Sequence, residues 1–125
     1  MATSTNNLAA TVTTLDALNA TILQRSLTAT YGGSASGLRE GSLPDNSAHA
    51  QSLPIATVRQ YYLKNTHASA TITVTWTPAG GASAVVQTVG PGGVLLFWQK
   101  TTDGGITALS YQASAAATFE DFMGG

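Results

Sequence analysis

Ala70-Thr71-Ile72-Thr73-Val74-Thr75-Trp76-Thr77 decides how this chain folds. Apolar residues hold the even positions and threonine the odd ones, the period of two that arises when successive side chains leave opposite faces of a pleated strand. Threonine suits the wet face, because its branched Cβ fits the pleat and its hydroxyl meets water. The stretch predicts a half-buried β-strand.

Reading outward, Ile55 to Lys64, centred on Val58 and Tyr62, predicts the preceding strand, with a polar turn over Asn65 to Ser69. Downstream, Pro78-Ala79-Gly80-Gly81 turns the chain into a strand over Ala84 to Val89, and Pro91-Gly92 supplies the residue pair of a type II turn. Val94-Leu95-Leu96-Phe97-Trp98 is apolar on both faces, which predicts a central strand between two layers. Asp103-Gly104-Gly105 then leads into a strand over Ile106 to Gln112. The tail from Thr118 carries Phe119, Phe122 and Met123 on a segment too short to bury them alone; it completes the sheet or docks on a partner.

Upstream, Leu23, Leu27, Ala29 and Tyr31 share the odd register of a strand over Thr21 to Tyr31. Residues 32–54 hold Gly32-Gly33, Gly37, Gly41 and Pro44 with little periodicity, which predicts a long loop. Residues 1–20 admit two readings. Leu8, Leu15 and Ile22 recur every seven residues with Val12 and Leu18 between them, as in an amphipathic helix. Thr11, Thr13 and Thr14 disfavour an isolated helix, and an extended arm ordered against a neighbouring subunit accounts for the same residues. With strands joined by Gly and Pro turns and no helical crossover between them, the expected fold is all-β. It is an antiparallel β-sandwich or jelly-roll-like barrel over residues 21–125, preceded by the arm.

Composition narrows the function. The chain has 125 residues, enough for one domain with a real core. It has no cysteine, which excludes disulfides and sulfur-ligated zinc. Charged residues make up 9% of the chain against a usual share of about 25%. A net charge of −1 offers no basic face for nucleic acid. The apolar runs are far short of the roughly 20 residues a membrane helix needs, and no secretory signal pattern opens the chain, so use without export is expected.

Candidate chemistry is sparse. Glu120 and Asp121 are adjacent, so on a strand they leave opposite faces and cannot flank one glycosidic bond; a solvated acidic end is expected. His49 and His67 lie in polar segments without a nucleophile elbow. Gly32 to Gly37 lacks the Lys-Ser or Lys-Thr of a phosphate cradle, and Asp45-Asn46 and Asp103 are too isolated for calcium. No catalytic residue, metal or cofactor is assigned. Tyr61, Tyr62, Trp76, Phe97 and Trp98 would suit a sugar platform only where they are not core.

Tyr61-Tyr62-Leu63-Lys64-Asn65, Thr71 to Trp76, Val89-Gly90-Pro91-Gly92-Gly93 and Gly105-Ile106-Thr107-Ala108-Leu109, taken in that order, resemble the small β-sandwich structural proteins of tailed bacteriophages. The resemblance covers about residues 58–125 and rests on strand and turn patterns. It implies a virion protein assembled in the host cytoplasm: a capsid decoration or cement subunit, or a tail, baseplate or fibre component. It further implies homo-oligomers and contact with the major capsid protein or other virion subunits. Expected contact residues are Leu8, Val12 and Leu15 of the arm, Leu38, Arg39 and Leu43 of the loop, and Phe119, Phe122 and Met123 of the tail. The alternative is a carbohydrate- or receptor-binding module facing a host surface glycan.

Overall fold

The computed structural model describes residues 4–15, 18, 21–33, 36–98 and 104–125, with side chains at 18, 38–97 and 104–125. The strands are β1 (Ser4–Leu15), β2 (Thr21–Gly33), β3 (Ser36–Leu43), β4 (Ala48–Gln51), β5 (Gln60–Asn65), β6 (Ile72–Pro78), β7 (Val85–Val89), β8 (Val94–Trp98), β9 (Ile106–Ala113) and β10 (Ala117–Gly124). Eight of them form two antiparallel sheets in the orders β3-β10-β5-β8 and β4-β9-β6-β7. Each strand pairs with the one it would meet in a single long hairpin, β3 with β10, β4 with β9, β5 with β8 and β6 with β7. Successive pairs fall in opposite sheets. That wrapped order is a jelly roll, and it makes the expected sandwich specific.

The sheets meet on Leu63, Ile72, Val74, Ile106, Leu109 and the two rings of Tyr61 and Tyr111. Ala70, Ile72 and Val74 are buried as the alternation requires, and Trp76, half-buried, packs against the same core. The turn after β5 is organised by Asn65, whose Nδ2 donates to the carbonyls of Ala70 (2.7 Å) and Val89 (3.1 Å). Its Oδ1 accepts from His67 N at 3.0 Å. Pro91-Gly92 turns as expected, with Gly92 at φ 71°, a left-handed value that glycine adopts without a Cβ penalty.

Two expectations change and one open choice closes. Residues 32–54 are not one loop: β3 and β4 lie inside them, at the edges of the two sheets. Short strands flanked by Gly and Pro show no periodicity until the register with β10 and β9 is known. Of the two readings of residues 1–20, residues 4–15 follow the extended one: they form a strand, paired with β2 from Ser4↔Gly33 to Leu15↔Thr21. A spacing of seven is odd, so in a strand Leu8 and Leu15 do not share a face, and their recurrence carried no helical meaning. Residues 1–3, 16–17 and 19–20 of that segment lie outside the described residues. Finally, Val94 to Trp98 is an edge strand, not a central one: β8 ends its sheet, with Leu95 and Phe97 packed inward and Val94 and Leu96 exposed.

Gln60, on the outer face between Gly124 of β10 and Trp98 of β8, is fully buried, and neither its amide nitrogen nor its oxygen has a hydrogen-bond partner. An unpaired buried amide costs about 1–3 kcal/mol, whereas an apolar group of similar shape carries no such penalty. Gln60→Met is therefore expected to raise stability by about 1–2 kcal/mol, seen as a higher urea midpoint at unchanged slope. A lowered midpoint would show that the amide makes a contact worth keeping.

Candidate functional site

Two places merit chemical scrutiny, one between the sheets and one outside them. Inside, a polar chain crosses the core. Tyr61 Oη of β5 donates to Tyr111 Oη of β9 at 2.6 Å, and Tyr111 Oη donates to Asp121 Oδ2 of β10 at 2.7 Å. Arg39 of β3 closes the chain with a fork onto Asp121, Nε to Oδ1 at 3.0 Å and Nη2 to Oδ2 at 2.6 Å. Its Nη2 also donates to Gln51 Oε1 of β4 at 2.8 Å. Because Tyr111 and Gln51 belong to one sheet and Tyr61, Asp121 and Arg39 to the other, the chain bolts the layers together. Phe119 lies under the guanidinium, 5.3 Å from ring centroid to Cζ, and edge-on to Tyr111 at 5.1 Å.

The electrostatics of this chain are those of a closed structural network. Burial is the main force pushing both phenols, Tyr61 and Tyr111, well above the ordinary tyrosine value. For Tyr111 the negative neighbourhood of Asp121 adds to it, so the hydroxyls stay protonated donors. The hydrogen bond to Asp121 holds the Arg39 guanidinium charged. An open groove of about 220 Å³ lies beside the ion pair, lined by Arg39, Ser52, Leu53, Pro54, Asp121 and Met123. It offers one carboxylate already neutralised by a fork and no imidazole. General acid–base chemistry needs a second tuned group there, and the groove has none among the described residues.

The histidines are occupied elsewhere. His49 Nε2 donates to Asp45 Oδ1 at 2.8 Å, and that bond, with Ser47 N at 2.8 Å, holds the Asp45 carboxyl below its ordinary value. His67 Nδ1 accepts from the backbone of Ser69 and Ala70 and shapes its turn.

Outside, the two sheets present different faces. On β4-β9-β6-β7 the outward rows are rich in hydroxyl and amide groups: Thr73 pairs with Thr88 and Gln112, and Thr75 with Val86 and Ser110. On β3-β10-β5-β8 the register sets Leu38 opposite Phe122, Phe122 opposite Tyr62, and Tyr62 opposite Leu96. One apolar row thus crosses all four strands. Leu38 is 68% exposed and Leu96 45%, while Tyr62 and Phe122 are half-buried between them. One row along lie Glu40, Glu120, Lys64 and Val94, so a charged border flanks the apolar row. Tyr62 Oη donates to Glu120 Oε1 at 3.2 Å across that border. Contiguous exposed apolar surface rimmed by charge marks a contact site more often than chance.

Of the expected contact residues, Leu38 and Phe122 stand in this row. Leu43, Phe119 and Met123 do not: all three face inward and are buried in the core. β10 sits between β3 and β5, so the tail completes a sheet and its odd positions cannot reach a partner. Arg39 is committed to Asp121, and Asp121 is buried, not solvated as the sequence led us to expect. The adjacency of Glu120 and Asp121 does place them on opposite faces. Leu8, Val12 and Leu15 lie on β1, whose side chains are outside the described residues. Tyr62 figured in the sequence reading only as one ring of a possible sugar platform, and Leu96 only as part of an apolar strand. Their alternation with Tyr61, Leu63 and Leu95 carried the signal, but the choice of face needed the sheet. Set against known proteins, the chain finds no match among family models, curated proteins or solved structures.

Proposed function

We propose that this chain is a non-catalytic structural subunit that works through repeated protein–protein contacts, as a decoration or cement subunit on a virion shell. The observation that carries the reading is the apolar row Leu38–Phe122–Tyr62–Leu96, continuous across four strands, where the other sheet exposes Val85 and Val86 on its edge strand among hydroxyl and amide groups. Covering such a row removes apolar area from water without stranding charges, which suits a protein that is touched over a wide face. Low charge supports it as well: few side chains must lose hydration when the face is covered. Jelly rolls serve as capsid domains and as lectins alike, so the fold by itself favours neither role. A sugar platform needs polar groups converging beside the rings, and this row has aliphatic ends.

Co-expression with the genes that flank it, followed by density-gradient separation, tests the reading. The chain is expected in the particle fraction. Leu38→Asp together with Leu96→Asp is expected to move it to the soluble fraction by more than tenfold. Because both leucines are exposed, the folded stability should change by no more than about 0.5 kcal/mol per site. Recovery of the unsubstituted chain only as a soluble monomer overturns the proposal, and specific binding on a glycan array would install the lectin reading in its place.

A further inference from the structure

β1 and β2 form a two-stranded sheet of their own, joined to neither sheet of the sandwich by strand pairing. Two-stranded ribbons are marginal in water unless one face is covered. Their register sorts the residues by chemistry. Leu8 stands opposite Ala29, Ala10 opposite Leu27, Val12 opposite Arg25 and Thr14 opposite Leu23, all at positions of one face. The other face takes Asn7 opposite Thr30, Ala9 opposite Thr28, Thr11 opposite Ser26 and Thr13 opposite Gln24. One face is therefore mostly aliphatic and carries Arg25, the only basic residue among the first 35.

We propose that the aliphatic face of this hairpin, from a second copy of the chain, lies on the Leu38–Phe122–Tyr62–Leu96 row, with Arg25 meeting the acidic border of Glu40 and Glu120. The proposal rests on the reading of that row as a contact face and names its occupant. Three observations select a second copy. Leu38 and Leu96 remain exposed with the chain's own hairpin present. Only two residues separate Gly33, the end of β2, from Ser36, the start of β3. Three Cα steps span at most about 11 Å, against the roughly 10 Å between stacked sheets, so folding the hairpin back over its own sheet would need that link drawn out to its full length. And the row's border carries like charges in register: Glu40 stands directly opposite Glu120, and Lys64 is the cation paired with Glu120 among the described residues. The hairpin is roughly 40 Å long and the row roughly 15 Å, so a ribbon laid along the row, across the four strands, covers its whole length.

The chain has no cysteine, which makes cross-linking clean. Full-length chains carrying Leu27→Cys and chains carrying Leu96→Cys are mixed and mildly oxidised. A disulfide-linked pair is expected in the mixture at a yield well above either variant alone. Arg25→Glu is expected to weaken self-association, read by light scattering across a dilution series, about tenfold, and Glu40→Arg in the same chain to restore most of it. A bridge formed within single copies of a chain carrying both cysteines at high dilution overturns the proposal, as does self-association indifferent to the charge exchange. If those fail while the chain still travels with particles, the hairpin inference falls and the shell-binding reading stands.

Discussion

Asp121→Ala is expected to cost about 3 kcal/mol of folding stability, a large fraction of the roughly 5–15 kcal/mol that holds a domain together. Asp121 is 1% exposed, and it accepts from both Tyr111 and Arg39. Removing the carboxylate leaves the Tyr111 hydroxyl buried without an acceptor and opens a small void between the sheets. The estimate sits at the low end for a broken buried pair because the Arg39 side chain is 42% exposed and recovers hydration once released. Asp121→Asn keeps an acceptor for Tyr111 and is expected to cost about 1 kcal/mol. Urea titration of the two variants tests the ranking. A loss under about 1 kcal/mol for the alanine variant would show that the network contributes little and that apolar packing alone joins the layers.

Alkali should unfold this protein chiefly through two buried phenols, with a smaller share from Tyr62, whose value burial and the neighbouring Glu120 also raise. Burial raises Tyr61 and Tyr111 above the ordinary tyrosine value, so their neutral forms belong to the folded state. Once unfolded, each phenol ionises near pH 10, at about the free value. Above that pH the unfolded chain binds fewer protons than the native one, so stability is intact below about pH 10 and falls as pH rises. The expected slope is about 1.4 kcal/mol per pH unit for each phenol, or about 2.7 for both. About one unit of that slope equals the loss expected for Asp121→Ala. Tyr111→Phe should roughly halve the slope, whatever it does to stability at neutral pH. Urea midpoints taken between about pH 9 and 11 measure it. Reversible titration of all four tyrosines near the free value in the folded protein would remove the basis of the prediction.

The two predictions concern the same five side chains, and these show how the molecule divides its labour. Arg39, Tyr61, Tyr111 and Asp121 bond to one another, and Gln51 joins through its Oε1, leaving no free acid or base in that chain. The outer face of the same sheet carries the unpartnered apolar row. Such a division suits the contact role proposed above: a rigid interior fixes the face that a partner would cover.

How much of this was legible beforehand is clearest at β6 and β8. The alternation Ala70 to Thr77 fixed both the strand and its buried face, because period two survives in any sheet position. Val94 to Trp98 misled, because an apolar run on both faces has two explanations: burial between layers, or an edge strand whose outward residues await a partner. Local sequence cannot distinguish them. The tail shows the same limit from the other side. Phe119 and Met123 looked like contact residues beside Phe122, and parity in β10 sends the first two into the core and the third outward.

The amino-acid sequence alone determined the all-β class, the turns at Asn65, Gly80 and Gly92, and the scarcity of charge, since these depend on backbone preferences and side-chain composition within a few residues. Tertiary structure decided which residues form the exposed row and which close the core. Leu38, Tyr62, Leu96 and Phe122 come from four strands spread over most of the chain, and they meet only because the wrapped hairpin order places β3, β10, β5 and β8 side by side. Strand pairing is a long-range choice made by the burial of whole faces, and no short window of sequence records it.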